Sequence, residues 1–457
     1  MTAAFERGFT LTRPLSGGAA MLAVFSDTAA VQRMLDFEAA LARAEAAHGV
    51  IPQSAVAAIV AACNAEQIDL PALAEAAASA GNLAIPLVKQ LTAAVSRRDA
   101  EAGKYVHWGA TSQDAIDTGL MLQLREALQL FHTEVDGIID ALAQLARAHR
   151  DTPMIGRTWM QHALPISFGL KAAGWLDAML NHRNRIIALQ ADALALQFGG
   201  AAGTLASLRD QGLAVAQSLA QDLDLPLPAM PWHTQRDRIA DIATALGMLT
   251  GSLGKMARDV SLLMQTDVAE AAEPAAPGKG GSSTMPHKRN PVACAAALTA
   301  AVRVPGLVAT VLAGMVQEHE RALGGWQAEW DALPEIAVAS FGALRQMREV
   351  AAGLSVDADR MRANLDITHG LIMGEAVMLA LGGRIGRLNA HHLVEAASRQ
   401  AAANGRHLRE VLGEDQQVTQ HLSPQELDAL FAPVNYLGAT GLFVDRVLAR
   451  HQQEQSS

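Results

Sequence analysis

Only two cysteines, Cys63 and Cys294, occur in 457 residues. That is too few for a disulfide framework or a cysteine metal site, and both lie in alanine-rich contexts that ask only for a small apolar side chain. Aromatic residues make up 4% of the chain, and β-branched residues seldom alternate with polar ones, so strand patterns are scarce and helices are favoured. There is no basic excess either. The formal net charge of −10 offers nucleic acid or an anionic membrane nothing general to hold. No apolar stretch reads as uninterrupted at the length of a membrane span, because Arg, Asp, Gln or Lys break the most hydrophobic segments. The start, Met1–Arg7, lacks a basic region followed by an apolar core and cleavage site. A soluble, cytoplasmic protein is the expectation. There is no His-x-x-x-His spacing, and His319 reads as a helix-surface or anion contact. The glycines at 278–281 follow a helix and no strand, so neither a metal nor a dinucleotide cofactor is expected.

What is present is apolar bulk: 50% hydrophobic and 18% charged residues can fill a large core, in about two to four domains. Ser26-Asp27-Thr28 can cap a helix running to about His48, stopped by Gly49 and Pro52. One long helix is expected over 114–151 and a second over 167–198. A third is marked by Ile242, Leu246, Leu249, Leu253, Met256, Val260 and Leu263, whose alternating steps of four and three are those of a bundle seam. Gly247, Gly251 and Gly254 lie beside that seam, where small residues let neighbouring backbones approach. A fourth long helix should follow Pro291, with Pro305-Gly306 as a kink or break. Shorter helices are expected from about residue 366. The fold class is therefore all-α, divided as 1–111, a central long-helix bundle over 112–365, and 366–457.

Three segments carry chemistry. Gly278-Lys279-Gly280-Gly281-Ser282-Ser283-Thr284-Met285-Pro286-His287-Lys288-Arg289-Asn290-Pro291 crowds glycines, adjacent serines and cations between helices. Glycines at positive φ can present successive N–H groups to an anion, to which Lys288 and Arg289 add charge. In His107-Trp108-Gly109-Ala110-Thr111-Ser112-Gln113-Asp114, Thr111 and Ser112 stand at a helix N-terminus, either as a simple cap or as a cradle for a carboxylate. The third is Gly156-Arg157-Thr158-Trp159-Met160-Gln161-His162.

The run from Gly281 to Pro291 resembles the signature of the fumarase/aspartase superfamily of β-eliminating enzymes. That resemblance implies three helical domains, a homotetramer whose central domains share one bundle, and active sites assembled from several subunits. It implies that Ser283 moves the proton on the carbon next to a carboxylate, with Lys288 beside it. Thr111, Ser112, Ser282 and Asn290 would hold substrate carboxylates, together with one or more of Arg157, Arg236 and Arg321. His107 matches the adenylosuccinate lyase branch and reads equally as a substrate contact or a satisfied core histidine. Gln161 completes the expected substrate contacts.

Adenylosuccinate lyases carry Gly-Arg-Thr-His where this chain has Gly156-Arg157-Thr158-Trp159. In lyases that histidine is assigned to protonating a basic leaving group, which an indole cannot do. The reacting group should then need no proton. A carboxylate qualifies, being ionised near neutrality. The expected activity is thus a lactone-forming cycloisomerisation of a small tricarboxylate, with Trp159 shaping the pocket. His162 is either an alternative proton donor or a structural hydrogen-bonder. The competing expectations are a β-elimination enzyme of the adenylosuccinate lyase kind and a non-catalytic structural member of the superfamily.

Overall fold

The computed structural model describes residues 18–455; the Met1–Arg7 segment, in which no leader was read, lies outside them. Six long helices dominate: α1 (Asp27–Ala47), α2 (Ser112–Ala148), α3 (Phe168–Asp192), α4 (Asp237–Leu263), α5 (Val292–Ala313) and α6 (Gly325–Gly353). Shorter helices fill the rest, including those between Ala358 and Gln455. The all-α expectation holds, with two small antiparallel additions: β1 (Pro153–Thr158) with β2 (Gln161–Ser167), and β3 (Ala271–Ala272) with β4 (Ser355–Val356).

The chain forms two compact units, each drawn from separated stretches. The first takes the described residues up to Val135, His182–Gly254 and Ala296–Gln346. Helix α1 begins where expected, because the Ser26 hydroxyl accepts from the Ala29 N–H at 3.2 Å and so satisfies one of the helix's unpaired donors. All four seam residues of α4 in this unit, Ile242, Leu246, Leu249 and Leu253, are buried. Gly254 and Gly247 face α5: a Cβ on Gly254 would lie 2.6 Å from that of Ala301, and one on Gly247 3.0 Å from Val308. Gly251 meets nothing within 4 Å. The core is closed elsewhere by Phe131 edge-on against Phe341 at 5.3 Å.

Two expectations in this part of the chain are corrected. The helix expected to reach Phe198 stops at Asp192. Beyond it the backbone of Gln197 is taken up by the Thr118 hydroxyl, which donates to its carbonyl at 2.8 Å and accepts from its N–H at 3.1 Å, an alternative to the helical ladder. Helix α5 runs through Pro305 without the break offered as one of two outcomes there, and, against the expectation that no stretch is, it is long and apolar enough to cross a membrane by length and composition, Arg303 being its only charge. Only 28% of its most apolar window is buried.

Helix α1 also holds Glu45, whose side chain is 0% exposed and whose two oxygens have no hydrogen-bond partner. Burial, and then repulsion from Glu38, push its pKa up to about 9. The unfolded chain ionises this carboxyl near its ordinary value while the folded chain keeps it protonated, so its linkage makes stability fall as pH rises from about 4.5 to 9. The slope is at most about 1.4 kcal/mol per pH unit. Glu45→Met, which keeps the volume and removes the titration, should raise the urea midpoint at pH 8 and leave it nearly unchanged at pH 5. An equal effect at both values would contradict a buried neutral acid.

The second unit takes Asp136–Asn181, Lys255–Ala295 and the chain from Met347. Its β1–β2 hairpin presents the 156–162 segment, and its shorter C-terminal helices close over a core that includes Val377, Leu381, Leu408, Leu412 and Val418. Met256, Val260 and Leu263 continue the α4 seam and are buried.

Candidate active site

In the first unit the turn before α2 gathers His107, Thr111, Ser112 and Arg321. Asp114 builds that turn. Its carboxylate accepts from the N–H groups of Thr111, Gly199 and Gly200 at 2.9–3.1 Å and from His233 Nε2 at 2.8 Å, tying the turn to the Gly199-Gly200 corner. Gly109 has φ +73°, and a Cβ there would meet Leu208 at 2.6 Å, so the chain needs glycine at this point. Arg321 Nη1 donates to the Thr111 hydroxyl at 2.8 Å, and Nη2 donates to the carbonyls of Gly200 and Ala201 at 3.4 and 3.1 Å. Its Nε is buried without a partner, and no carboxylate pairs with the guanidinium among the described residues. Among the described residues the Ser112 hydroxyl has no hydrogen-bond partner. A cation without an anion, beside two hydroxyls and a helix N-terminus, has the make-up that suits a carboxylate.

Arg236 does not join them, which corrects its expected substrate-binding role. It is 1% exposed and lies between two buried carboxylates. It donates to Asp117 at 2.7 and 3.1 Å and to Glu329 at 2.6–3.2 Å. Trp232 stacks 4.8 Å from its guanidinium, and Trp326 Nε1 donates to Asp117 at 3.0 Å. All of its charge is spent within the core.

In the second unit the signature segment 278–290 folds back on itself. Gly281 bridges Arg289, and the Asn290 N–H donates to the Gly280 carbonyl at 2.8 Å. Gly280 has φ +70°, and a Cβ there would sit 2.5 Å from the Asn290 carbonyl oxygen. Ser282 Oγ is occupied within the loop, accepting from the N–H groups of Met285 at 3.1 Å and Thr284 at 3.4 Å. Lys279 pairs with Glu349 at 2.5 Å, and Arg289 donates to the Glu273 carbonyl at 2.8 Å. Glu273 braces the loop's far end, its carboxylate accepting from the N–H groups of Ala293 and Cys294 at the start of α5. Among the described residues, the Ser283 hydroxyl and the Lys288 ammonium make no hydrogen bond or ion pair, and both are exposed.

The hairpin carries the remaining residues around a cavity of about 550 Å³ whose lining includes Arg157, Trp159, Met160, His162, Lys171 and Asn364. Thr158 pairs with Gln161, so Trp159 and Met160 are the two central residues of the turn, at φ +52° and +63°. Asn-Gly is the usual content of such a primed turn. Two bulky residues held in the left-handed region cost about 1–2 kcal/mol each, and such strain is concentrated at functional positions. Trp159 is 98% exposed, so within one chain it caps the cavity's edge and does not wall an enclosed pocket.

Arg157 and His162, both expected at the site, line this cavity with partners or surroundings of their own. Arg157 is braced by buried Glu270 through two hydrogen bonds of 2.6 and 2.8 Å, and Asn364 donates to the same carboxylate at 2.7 Å. Two of its five N–H donors are thus engaged by Glu270 while the residue lines the cavity. His162 has its pKa lowered by burial and then by Arg157, leaving a neutral ring at pH 7 whose Nδ1 is buried without a partner. It is poorly suited to act as a cationic proton donor. Lys171, which nothing in the sequence singled out, lines the same cavity, and burial lowers its pKa. Gln161 is exposed and Asn290 half-buried.

Residues 18–306 match the family described as Lyase, and residues 370–447 match the adenylosuccinate lyase C-terminus. The chain is 60% identical over 438 residues to the 3-carboxy-cis,cis-muconate cycloisomerase of Bradyrhizobium diazoefficiens, covering 96% of this chain and 97% of the relative. It is 57% identical over 433 residues to the enzyme of the same name from Pseudomonas aeruginosa, covering 95% and 94%. The crystal structure of the 3-carboxy-cis,cis-muconate lactonizing enzyme from Pseudomonas putida superposes with a TM-score of 0.93 at 53% identity, covering 97% of this chain and 99% of that one. With the signature loop, the turn before α2 and the Trp159 hairpin all within a match that covers 96% of the chain, the chain belongs to the 3-carboxy-cis,cis-muconate cycloisomerases of the fumarase/aspartase superfamily.

Proposed function

We propose that the chain closes 3-carboxy-cis,cis-muconate to a carboxymuconolactone, a step of protocatechuate catabolism through the β-ketoadipate route. The observation that carries this reading is Trp159, an indole where lyases of the resembling branch place an acid. A substrate carboxylate is already ionised, so its oxygen can add to the conjugated carbon without any proton on the reacting group. As the C–O bond forms, the π pair moves to the carbon next to a second carboxylate, whose negative charge grows. The loop N–H groups and Lys288 are suited to stabilise that charge. Ser283 then delivers its proton to the carbon and recovers one from solution. Ser282 being occupied by the turn supports the choice of Ser283. Thr111, Ser112 and Arg321 hold a carboxylate of the substrate.

The same reading takes the working form to be a cytoplasmic homotetramer built on the central segment 112–365, each site completed by neighbouring subunits. Support comes from α5, an apolar helix left mostly uncovered, and from the exposure of Trp159, Ser283 and Lys288.

Incubating the protein with 3-carboxymuconate and, separately, with adenylosuccinate distinguishes cycloisomerase from lyase by ultraviolet absorbance. The diene band should disappear with the first substrate, and the second should stay unchanged. Turnover of adenylosuccinate alone would overturn the assignment.

A further inference from the structure

His107 and Glu38 form a contact that sequence spacing could not show. His107 Nδ1 donates to Glu38 Oε1 at 2.5 Å, across sixty-nine positions of sequence. Glu38 is 2% exposed and its second oxygen has no partner. A buried anion left half satisfied is poor value for stability, since apolar residues of the same volume commonly do as well or better. His107 is also held at φ +57°, a conformation few non-glycine residues adopt, four residues before Thr111. Its ring is partly exposed, and Nε2 is the nitrogen not committed to Glu38.

We propose that Glu38 is a positioning residue that fixes the ring and the charge of His107, so that Nε2–H donates to a substrate carboxylate beside Thr111 and Ser112. The proposal rests on the reading of that turn as a carboxylate site. The surrounding groups fit it. Burial works against charge on His107, but the Glu38 carboxylate, through its charge and its hydrogen bond, and then Asp114 outweigh it and raise the imidazole pKa. Glu45, two turns along α1 from Glu38, stays protonated and so adds no second anion. Asp114 is itself engaged by three N–H groups and His233. Burial raises the Cys63 thiol, which therefore stays neutral. Lys104 is paired with Glu101, and Arg321 is bound to the Thr111 hydroxyl.

Because the cationic ring is the binding form, kcat/KM for 3-carboxymuconate should be level below the His107 pKa and fall above it. In Glu38→Gln that falling limb should move down by about one pH unit or more, with KM raised and kcat little changed. Glu38→Asp, which keeps the carboxylate, should leave the limb near its wild-type position. Carbon-13 NMR of His107 in the free protein should show the same displacement between wild type and Glu38→Gln. A profile that superimposes on wild type, with only the melting temperature lowered, would leave Glu38 a structural residue and overturn the proposal. If Glu38→Gln does not fold, the wild-type titration decides: a His107 midpoint below about 6.5 overturns it. A wild type without activity on the muconate would instead count against the cycloisomerase reading, while the NMR titration would still report the Glu38 contact.

Discussion

Ser283→Ala is expected to lower kcat about 10³-fold, within the range for removing a general acid, while KM and the circular dichroism spectrum stay near those of wild type. The fold should be indifferent, because the Ser283 side chain is exposed and makes no hydrogen bond. The loop is shaped by other groups: the Ser282 hydroxyl, the Gly280 carbonyl, and Glu273 at the start of α5. The contrast between neighbouring serines sharpens the expectation. Ser282 is spent on the turn, so its loss should loosen the loop, whereas the loss of Ser283 removes only chemistry. Steady-state kinetics on 3-carboxymuconate provides the check. An alanine variant keeping a tenth or more of wild-type turnover would mean that another group delivers the proton.

The second large effect is on stability. Arg236→Met should destabilise the protein by about 3–5 kcal/mol, the usual result of removing one partner from a buried ion cluster. Asp117 and Glu329 would be left facing each other in the core with no cation between them. Trp326 and Gln113, which donate to Asp117, cannot supply that charge. Adding Asp117→Asn and Glu329→Gln to Arg236→Met should restore much of the lost stability, since the uncompensated anions are then gone. Urea unfolding measures both. A variant of native stability with only a raised KM would return Arg236 to the substrate.

These two residues show what the sequence disclosed and what it withheld. The signature loop was legible because it is contiguous: its glycines, hydroxyls and cations lie within fourteen positions. The α4 seam was legible for a similar reason, as a helix repeats its buried face every three or four residues. Arg236 looked like a substrate fork, and Glu270 could not be paired with Arg157, because the carboxylates concerned lie far along the chain. Asp117 and Glu329 are each roughly a hundred positions from Arg236, and Glu270 is as far from Arg157. Nothing local distinguishes an arginine that meets a substrate from one that meets a buried glutamate.

The β1–β2 hairpin was missed for a different reason. Its turn is Trp159-Met160, with none of the Asn, Asp or Gly that normally announces positive φ. Such strain fits a position set by function, and it concerns the very residue whose identity points to lactone formation. Lys171 and Glu38 could be given no individual role, since each gains its meaning only from the groups folded against it.

A cycloisomerisation joins two parts of one molecule and expels nothing. Mass spectrometry of the product formed from 3-carboxymuconate in ordinary and heavy water tests this most directly. The expected product is a lactone of unchanged mass in ordinary water and one mass unit heavier in heavy water, the deuterium residing on the carbon next to a carboxylate. A product lighter than the substrate, or one without carbon-bound deuterium, would contradict it.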